Sequence, residues 1–272
     1  MRRFQILISV LISTIAISGC SRPSDRFQRA DAEKAGFSLS SLDELGSFLE
    51  YSGSSALLVL QDGKVVYEWG DIYKKHTIHS IRKCLLNGLM GIYVERGLID
   101  TNLTLSQLDI DDTNHKLTYG EKLARMADLL RSRSGVYHDA AAETASMLKN
   151  RPLKGLHEPN EAFYYNNWDF NTLGYIFEQA AGKSIFKAFY EEFAIPLGML
   201  QYQGETSSID EDDPDAHIPK TDGYYQYERS RSSYPAYQFR MSAHDLALYG
   251  LLFQRDGNWQ GKQLISSDWI SA

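Results

Sequence analysis

Residues 80–97 read SIRKCLLNGLMGIYVERG, a stretch without proline in which leucine, isoleucine and methionine occupy most of the helical circumference. This pattern predicts a helix from Ser80 to Glu95 that is buried on nearly all sides, because a surface helix confines its apolar residues to one face. Gly97 is expected to end it, since glycine readily adopts the left-handed conformation found after a helix. Side chains at the start of this helix are therefore expected to lie in surroundings of low dielectric constant.

The first turn of this helix carries the pattern Ser-x-x-Lys. Ser80 and Lys83 stand one turn apart on one face, so a neutral lysine amine can accept the serine proton while the oxygen attacks a carbonyl group. The spacing alone means little, because the chain contains it twice more, at Ser146 with Lys149 and at Ser184 with Lys187. Only Ser80 opens a deeply apolar helix, where burial lowers the pKa of Lys83 toward neutral. We therefore predict Ser80 as nucleophile and Lys83 as base.

A second motif, Tyr165-Asn166-Asn167, precedes a predicted helix from Trp168 to Ala181. Tyr-x-Asn in a loop ahead of a helix aims a phenol and an amide into one cleft, where the phenol relays protons and the amide orients the lysine or the substrate. Taken alone, packed aromatic residues and a helix cap explain the same string. The prediction of Tyr165 and Asn167 as site residues therefore depends on the rest of the chain.

Local patterns predict the remaining elements. Ser41-Leu42-Asp43-Glu44 fits a capping box and predicts a first helix, and Ala56–Gln61 and Val65–Trp69, joined by an Asp-Gly turn, predict a hairpin. Further helices are predicted at Tyr119–Arg131, Ile185–Phe193 and Ser242–Phe253, with a last one beginning at Ser266 or Ser267. Residues 209–220, with five acids and two prolines, and the tyrosine-rich residues 224–239 are interpreted as a long excursion over the surface.

The N-terminus has the pattern of a secretory signal. Two arginines precede an apolar run from Ile6 to Ile17, which is well short of the roughly 20 residues that span a bilayer. The run ends in Ile-Ser-Gly-Cys, which resembles the bacterial lipobox, so Cys20 is predicted to be lipidated; an ordinary signal peptide with a chance cysteine is the alternative. We expect a signal peptide over residues 1–19, a tether over 20–36 and a domain over 37–272. The predicted location is the bacterial cell envelope, at the outer membrane facing the periplasm.

Composition narrows the function further. The 272 residues are 43% hydrophobic and 12% aromatic, which supplies a large core and argues against disorder. A formal net charge of −7 gives no support for a nucleic-acid partner. With Cys20 assigned to lipid, Cys84 has no disulfide partner and is expected in the core. The seven histidines show no metal-binding spacing, and no phosphate loop occurs, so neither a metal nor a cofactor is predicted.

Four segments, taken in order, resemble a known family. They are Ser80-Ile81-Arg82-Lys83, Asp128-Leu129-Leu130 with Ser134-Gly135-Val136, Tyr165-Asn166-Asn167, and Arg240-Met241-Ser242-Ala243-His244-Asp245. The ordered set is similar to the serine β-lactamase-related hydrolases, the group containing class C β-lactamases, low-molecular-weight penicillin-binding proteins and 6-aminohexanoate-dimer hydrolases. The resemblance implies an α+β, β-lactamase/transpeptidase-like fold, in which an antiparallel sheet flanked by helices and an all-helical part enclose the active-site cleft.

One family feature is missing. The family carries a third motif, lysine or histidine with a nearby glycine, on a later sheet strand, and Lys220-Thr221-Asp222-Gly223 lies out of family order. The resemblance therefore implies a C-terminally truncated chain without the C-terminal sheet strands. We expect Ser80, Lys83 and Tyr165 to converge with no strand beside them to complete an oxyanion hole.

The resemblance also implies a reaction. A serine hydrolase of this kind acts on an ester or amide, D-amino-acid peptides and β-lactams included, through an acyl-enzyme. Ser80 would attack, Lys83 act as base, Tyr165 relay the proton to the leaving group and Asn167 orient. The alternative is a lipoprotein that recognises penicillin or binds peptidoglycan without turnover. The expected partners are a small-molecule ester, amide or peptide and, through the lipid, a membrane.

Overall fold

The computed structural model describes residues 27–272. The predicted signal peptide, the lipidation site Cys20 and the first part of the predicted tether lie outside these residues. Within them, no helix combines the length and the apolar character needed to cross a bilayer.

The secondary structure of residues 27–272 is mainly helical, with three small sheets. The helices are α1 (Leu39–Tyr51), α2 (Arg82–Glu95), α3 (Met126–Leu130), α4 (Ala145–Asn150), α5 (Asn167–Ala181), α6 (Ile185–Phe189), α7 (Ile195–Leu197), α8 (Ala243–Gln254) and α9 (Ser267–Ser271). Short 3-10 turns lie at His79–Ile81 and Glu121–Leu123, and a π-helical segment, Tyr190–Ala194, joins α6 to α7. The strands are β1 (Ala56–Gln61), β2 (Lys64–Gly70), β3 (His76–Thr77), β4 (Thr206–Asp210), β5 (Gly223–Tyr227), β6 (Ala236–Met241), β7 (Asn258–Trp259) and β8 (Lys262–Gln263).

Helix α2 is the buried helix expected from residues 80–97. Leu85, Leu86 and Leu89 on it are completely buried, and it packs against α5, α6 and β6. Its first turn is 3-10 rather than α-helical, so Ser80 lies just ahead of the α-helix proper. The helix also buries Lys83, which is 7% exposed.

The predicted hairpin is confirmed, while the start of the domain differs from the prediction. Strands β1 and β2 pair antiparallel across the Asp-Gly turn. The backbone N–H of Val65 donates to the carbonyl of Gln28 at 2.8 Å, and Phe27 is a buried member of the core. The chain is therefore already packed against β2 at residue 27, and the tether predicted up to residue 36 is too long, because an aromatic side chain there finds an apolar site. Helix α1 is capped by Ser38, three residues before the predicted capping box.

The prediction of a surface excursion between residues 209 and 239 is confirmed for residues 211–220, which form an exposed loop, and wrong for the segments on either side of that loop. Strands β4, β5 and β6 lie there and form, with β3, a mixed sheet of order β3-β6-β5-β4, in which β4 and β5 are parallel and the other pairs antiparallel. The tyrosines and phenylalanines that suggested a loop are residues that strands favour. Phe239 on β6 packs on Phe186 of α6, with ring centroids 4.9 Å apart.

Strand β6 runs beside the segment that leads into Ser80. His76 of β3 pairs with Met241, and the N–H of Ile78 donates to the carbonyl of Phe239 at 3.0 Å. The expectation that no strand would lie beside the site is therefore wrong. A two-residue strand such as β3 gives too short a pattern to predict.

The helices also differ from the prediction in two details. The helix expected from Tyr119 to Arg131 is split into a 3-10 turn and α3, because Ala124 between them has an extended ψ of 133° and accepts a hydrogen bond from Leu105 at 2.8 Å. Helix α4, capped by Thr144, was not predicted. The helices expected at α5, α6, α8 and α9 are confirmed.

Candidate active site

The turn between β3 and α2 presents Ser80. His79 immediately before it adopts a left-handed conformation with φ of 45°, which costs a non-glycine residue on the order of 1–3 kcal/mol. Ser80 follows in the 3-10 turn with an exposed side chain, whereas Lys83 at the start of α2 is 7% exposed. The lysine Nζ lies 3.4 Å from the Ser80 Oγ. The Ser-x-x-Lys motif thus brings a hydroxyl and an amine together at the edge of the core.

The start of α5 brings the second motif to the same amine. Asn166 caps α5, its Oδ1 accepting from the N–H of Asp169 at 2.8 Å, so the residues on either side of the cap point into the cleft. The Lys83 Nζ donates to the Tyr165 hydroxyl at 3.0 Å and to the Asn167 Oδ1 at 2.8 Å. Asn167 is itself held by its Nδ2, which donates to the Ala142 carbonyl at 2.5 Å. All four predicted site residues therefore meet around one lysine amine.

Burial changes the acidity of that amine. Burial is the larger cause and the charge of the neighbouring Arg82 guanidinium the smaller one, and together they lower the pKa of Lys83 to about 7. A substantial fraction of Lys83 is thus neutral near pH 7, which is the state that can accept a proton from a hydroxyl.

Two cavities meet at Ser80. One, of about 510 Å³, is lined by residues that include Met147 of α4, Phe163 and Tyr165. The other, of about 450 Å³, is lined by groups that include Arg82 and, from the mixed sheet, Tyr224 and Gln238. The strands that were not predicted therefore form one wall of the cleft. Such an arrangement leaves room for the groups of a bound molecule on both sides of Ser80.

The sequence model of the Beta-lactamase family matches residues 50–272. The chain belongs to the Beta-lactamase family. A protein of Escherichia coli (strain K12) named "Putative D-alanyl-D-alanine carboxypeptidase" is 22% identical over 241 residues, covering 73% of this chain and 55% of that protein. The chain thus spans about half the length of the curated relative.

Solved structures share the fold of this Beta-lactamase-family chain. The "Putative 6-aminohexanoate-dimer hydrolase" of Bacillus anthracis is 20% identical with a TM-score of 0.59, covering 84% of this chain and 61% of that one. The octameric penicillin-binding protein homologue of Pyrococcus abyssi is 18% identical with a TM-score of 0.59, covering 86% and 59%. The predicted β-lactamase/transpeptidase-like α+β fold and the family resemblance are confirmed.

Sequence reasoning missed two buried polar groups of this Beta-lactamase-family site. The first is Arg82, whose Nη2 donates to Asn171 Oδ1 at 2.9 Å and whose Cζ lies 4.3 Å from the centroid of the Tyr237 ring. Burial lowers the pKa of Arg82 from its usual value. The signal that could have revealed it was two consecutive basic residues in an otherwise apolar helix.

The second missed group is Asp169, which has no exposed surface. Its Oδ1 accepts from the Ser134 hydroxyl at 2.6 Å, and its Oδ2 accepts from the Asn166 Nδ2 at 3.1 Å. Burial raises the pKa of Asp169 to about 7 although these hydrogen bonds oppose the rise. The carboxyl group ties the Ser134 segment to the loop that carries Tyr165.

The structure also shows the surroundings of Ser184, Ser146 and Cys84. Ser184 caps α6, accepting from the N–H of Lys187 at 3.2 Å, as expected of a structural serine, whereas Ser146 lines the first cavity. Cys84 is exposed rather than in the core, because it faces away from the apolar side of α2. Across residues 27–272, no three His, Cys, Asp or Glu side chains group closely enough to hold a metal ion.

Proposed function

We propose that this protein is a serine hydrolase that cleaves an ester or amide through an acyl-enzyme. The observation that carries the proposal is the Lys83 amine, which lies within hydrogen-bonding distance of Ser80, Tyr165 and Asn167 and has a pKa of about 7. A buried, partly neutral amine beside a hydroxyl is the arrangement that activates a serine nucleophile.

The geometry supports a two-stage reaction. Neutral Lys83 accepts the Ser80 proton as Oγ attacks the substrate carbonyl carbon. Tyr165, 3.0 Å from the lysine, then donates its proton to the departing alcohol or amine and regains one from Lys83. In the second stage a water attacks the acyl ester, its proton passes to the same groups, and Ser80 Oγ leaves with a proton. Asn167 holds the lysine in place throughout.

The family and the name of a relative support two candidate substrate classes. The name of the Escherichia coli relative supports peptides that end in D-alanyl-D-alanine, and the family name supports β-lactams as a second class. Comparing p-nitrophenyl esters, a D-Ala-D-Ala peptide and nitrocefin ranks these classes directly. We expect ester or amide turnover to exceed nitrocefin turnover, on the ground of the Trp168-Asp169-Phe170-Asn171 continuation, which resembles the esterase and amide-hydrolase branch.

The nucleophile can be tested with a fluorophosphonate probe on the full chain. We expect labelling at Ser80 and its loss in Ser80→Ala, together with at least a thousand-fold loss of ester hydrolysis, the usual scale for a removed nucleophile. Ser184→Ala is the matched control, since it removes the serine of another Ser-x-x-Lys string. Hydrolysis that survives Ser80→Ala would contradict the proposal. Stable acylation by penicillin without any turnover would favour the binding lipoprotein instead.

We also propose that Cys20 carries a lipid and anchors the protein to the bacterial envelope, most simply the outer membrane. The support is the Ile-Ser-Gly-Cys string after an apolar run. Cells fed a clickable palmitate analogue should label the natural chain, which should fractionate with membranes. Cys20→Ser should lose both label and membrane association, and a soluble natural chain would contradict the anchor.

A further inference from the structure

Two consecutive basic side chains are buried together at the start of α2. Arg82 is 2% exposed and Lys83 is 7% exposed. Their hydrogen-bond partners in residues 27–272 are amide and hydroxyl groups, with no carboxylate among them. Two like charges in surroundings of low dielectric constant oppose each other, so this pair is costly when both carry a proton.

The arginine is the member of the pair that keeps its charge. A guanidinium has a much higher pKa than an amine, so the lysine releases its proton first. Arg82 is also fixed in position, by Asn171 on α5 and by the ring of Tyr237 on β6. Its Nη1 finds no hydrogen-bond partner within the described part of the chain, and the hydrogen bond that its Nη2 donates goes to an amide oxygen, not to a carboxylate. The positive end of α2 acts in the same direction.

The structure assigns to Arg82 the role of a positioning residue that keeps the Lys83 amine neutral and ready to accept the Ser80 proton. This inference rests on the proposed function and adds a residue to Lys83 and the three side chains that contact its amine. It explains why an arginine occupies a buried site where an apolar residue would pack at lower cost.

The other groups around the pair do not cancel this effect. From α2 itself Cys84 is the titratable neighbour, and from the start of α5 Lys83 faces Tyr165. Three carboxylates line the second cavity with Arg82, namely those of Glu143, Glu211 and Glu228. Glu143 pairs with Arg151 at 2.6 Å, Glu228 pairs with Arg231 at 2.9 Å, and Glu211 lies at the exposed rim.

The test measures the protonation of Lys83 directly in the full chain. Each lysine is acetylated by isotopically labelled acetic anhydride over pH 5–11, and the products are followed by peptide mass spectrometry. This measurement reports the pKa of each amine and distinguishes modification of Lys83 from modification of Ser80. We expect a pKa of about 7 for Lys83 in the natural chain. In Arg82→Gln this pKa should rise by about one unit, and the rate of Ser80 labelling at pH 7 should fall about five-fold and recover above pH 9.

Three further variants complete the test. Arg82→Lys keeps a cation and should leave the pKa closer to its natural value than Arg82→Gln does. Arg96→Gln removes a charge from the far end of the same helix, about 20 Å away, and should leave the profile unchanged. If Arg82→Gln does not fold, Asn171→Asp places a carboxylate on the guanidinium and should raise the pKa of Lys83 in the same direction.

Failure of the inference and failure of the proposed function give different results. If Arg82→Gln folds and its Lys83 pKa is unchanged, the role of Arg82 is overturned, whether or not the protein hydrolyses esters. A shifted pKa without any Ser80 labelling in the natural chain supports the electrostatic effect and rejects the acyl-enzyme mechanism. A rate loss that is equal at all pH values would show a merely structural role for Arg82.

Discussion

Asp169 is a carboxyl group that the fold buries completely while surrounding it with hydrogen-bond donors. Its pKa of about 7 in the folded protein lies above the value of 3.8 expected in the unfolded chain, because burial outweighs the hydrogen bonds from Ser134 and Asn166. Between about pH 4 and pH 7 the folded protein therefore keeps a proton on Asp169 that the unfolded chain has already released. Over that window the contribution of Asp169 to stability falls as pH rises, and above it the loss is complete.

The corresponding prediction compares the natural chain with Asp169→Asn. In denaturant titrations between pH 4 and pH 8, the natural chain should lose stability relative to the variant by roughly 1.4 kcal/mol per pH unit up to about pH 7. Every other titrating group contributes to both proteins, so the difference isolates this carboxyl group. Two curves that run parallel across the whole range would contradict the assigned pKa.

For the site, the sequence predicted individual residues better than it predicted their surroundings. Ser80 and Lys83 were predicted because their motif opens a deeply apolar helix, and Tyr165 and Asn167 because their motif follows it in the order of the family that the chain resembles. Arg82 and Asp169 were missed because their roles depend on burial and on partners 89 and 35 positions away, Asn171 and Ser134. Neither property is visible in a local string.

At the level of elements, α5 and β6 fit closely at Gly174. A Cβ added there would lie 2.7 Å from the Tyr237 ring, whereas one added at Gly250 on α8 would meet nothing within 4 Å. Gly174→Ala should therefore destabilise the protein, by about 1–3 kcal/mol, and disturb the ring that supports Arg82. The matched control Gly250→Ala should stabilise it by up to about 1 kcal/mol, the usual gain for alanine inside a helix. Thermal unfolding of both variants checks the contrast, and equal stabilisation would contradict the close fit.

Elements were predicted unevenly, for a physical reason. Helices such as α2 and α5 repeat an apolar pattern over several turns, so they can be recognised without knowing their neighbours. Strands β4, β5 and β6 depend on pairing, and β4 and β5 pair in parallel across an intervening acidic loop. The pairing makes these segments extended, although the acids and prolines beside them and the tyrosines of β5 and β6 predicted a loop.

At the level of the whole molecule, one apolar core joins the hairpin region to the helical middle and the last helices. Val65 of β2, Leu89 of α2 and Leu252 of α8 all belong to it. The cleft lies where α2, the start of α5 and the mixed sheet meet, so the cleft depends on packing between distant parts of the chain. The resemblance implied this two-part arrangement, but not which strands would form the wall beside Ser80.

The pairing of β3 with β6 has a consequence for the order of folding. Arg240 at the end of β6 donates to the carbonyl of Lys75, which lies 165 positions earlier in the chain. Contacts between residues so far apart form slowly, because a long loop must close first. During synthesis Ser80 emerges long before the strand that borders its cleft. A nascent chain therefore carries Ser80 without a finished pocket, and the cleft is completed only as one of the last steps of folding.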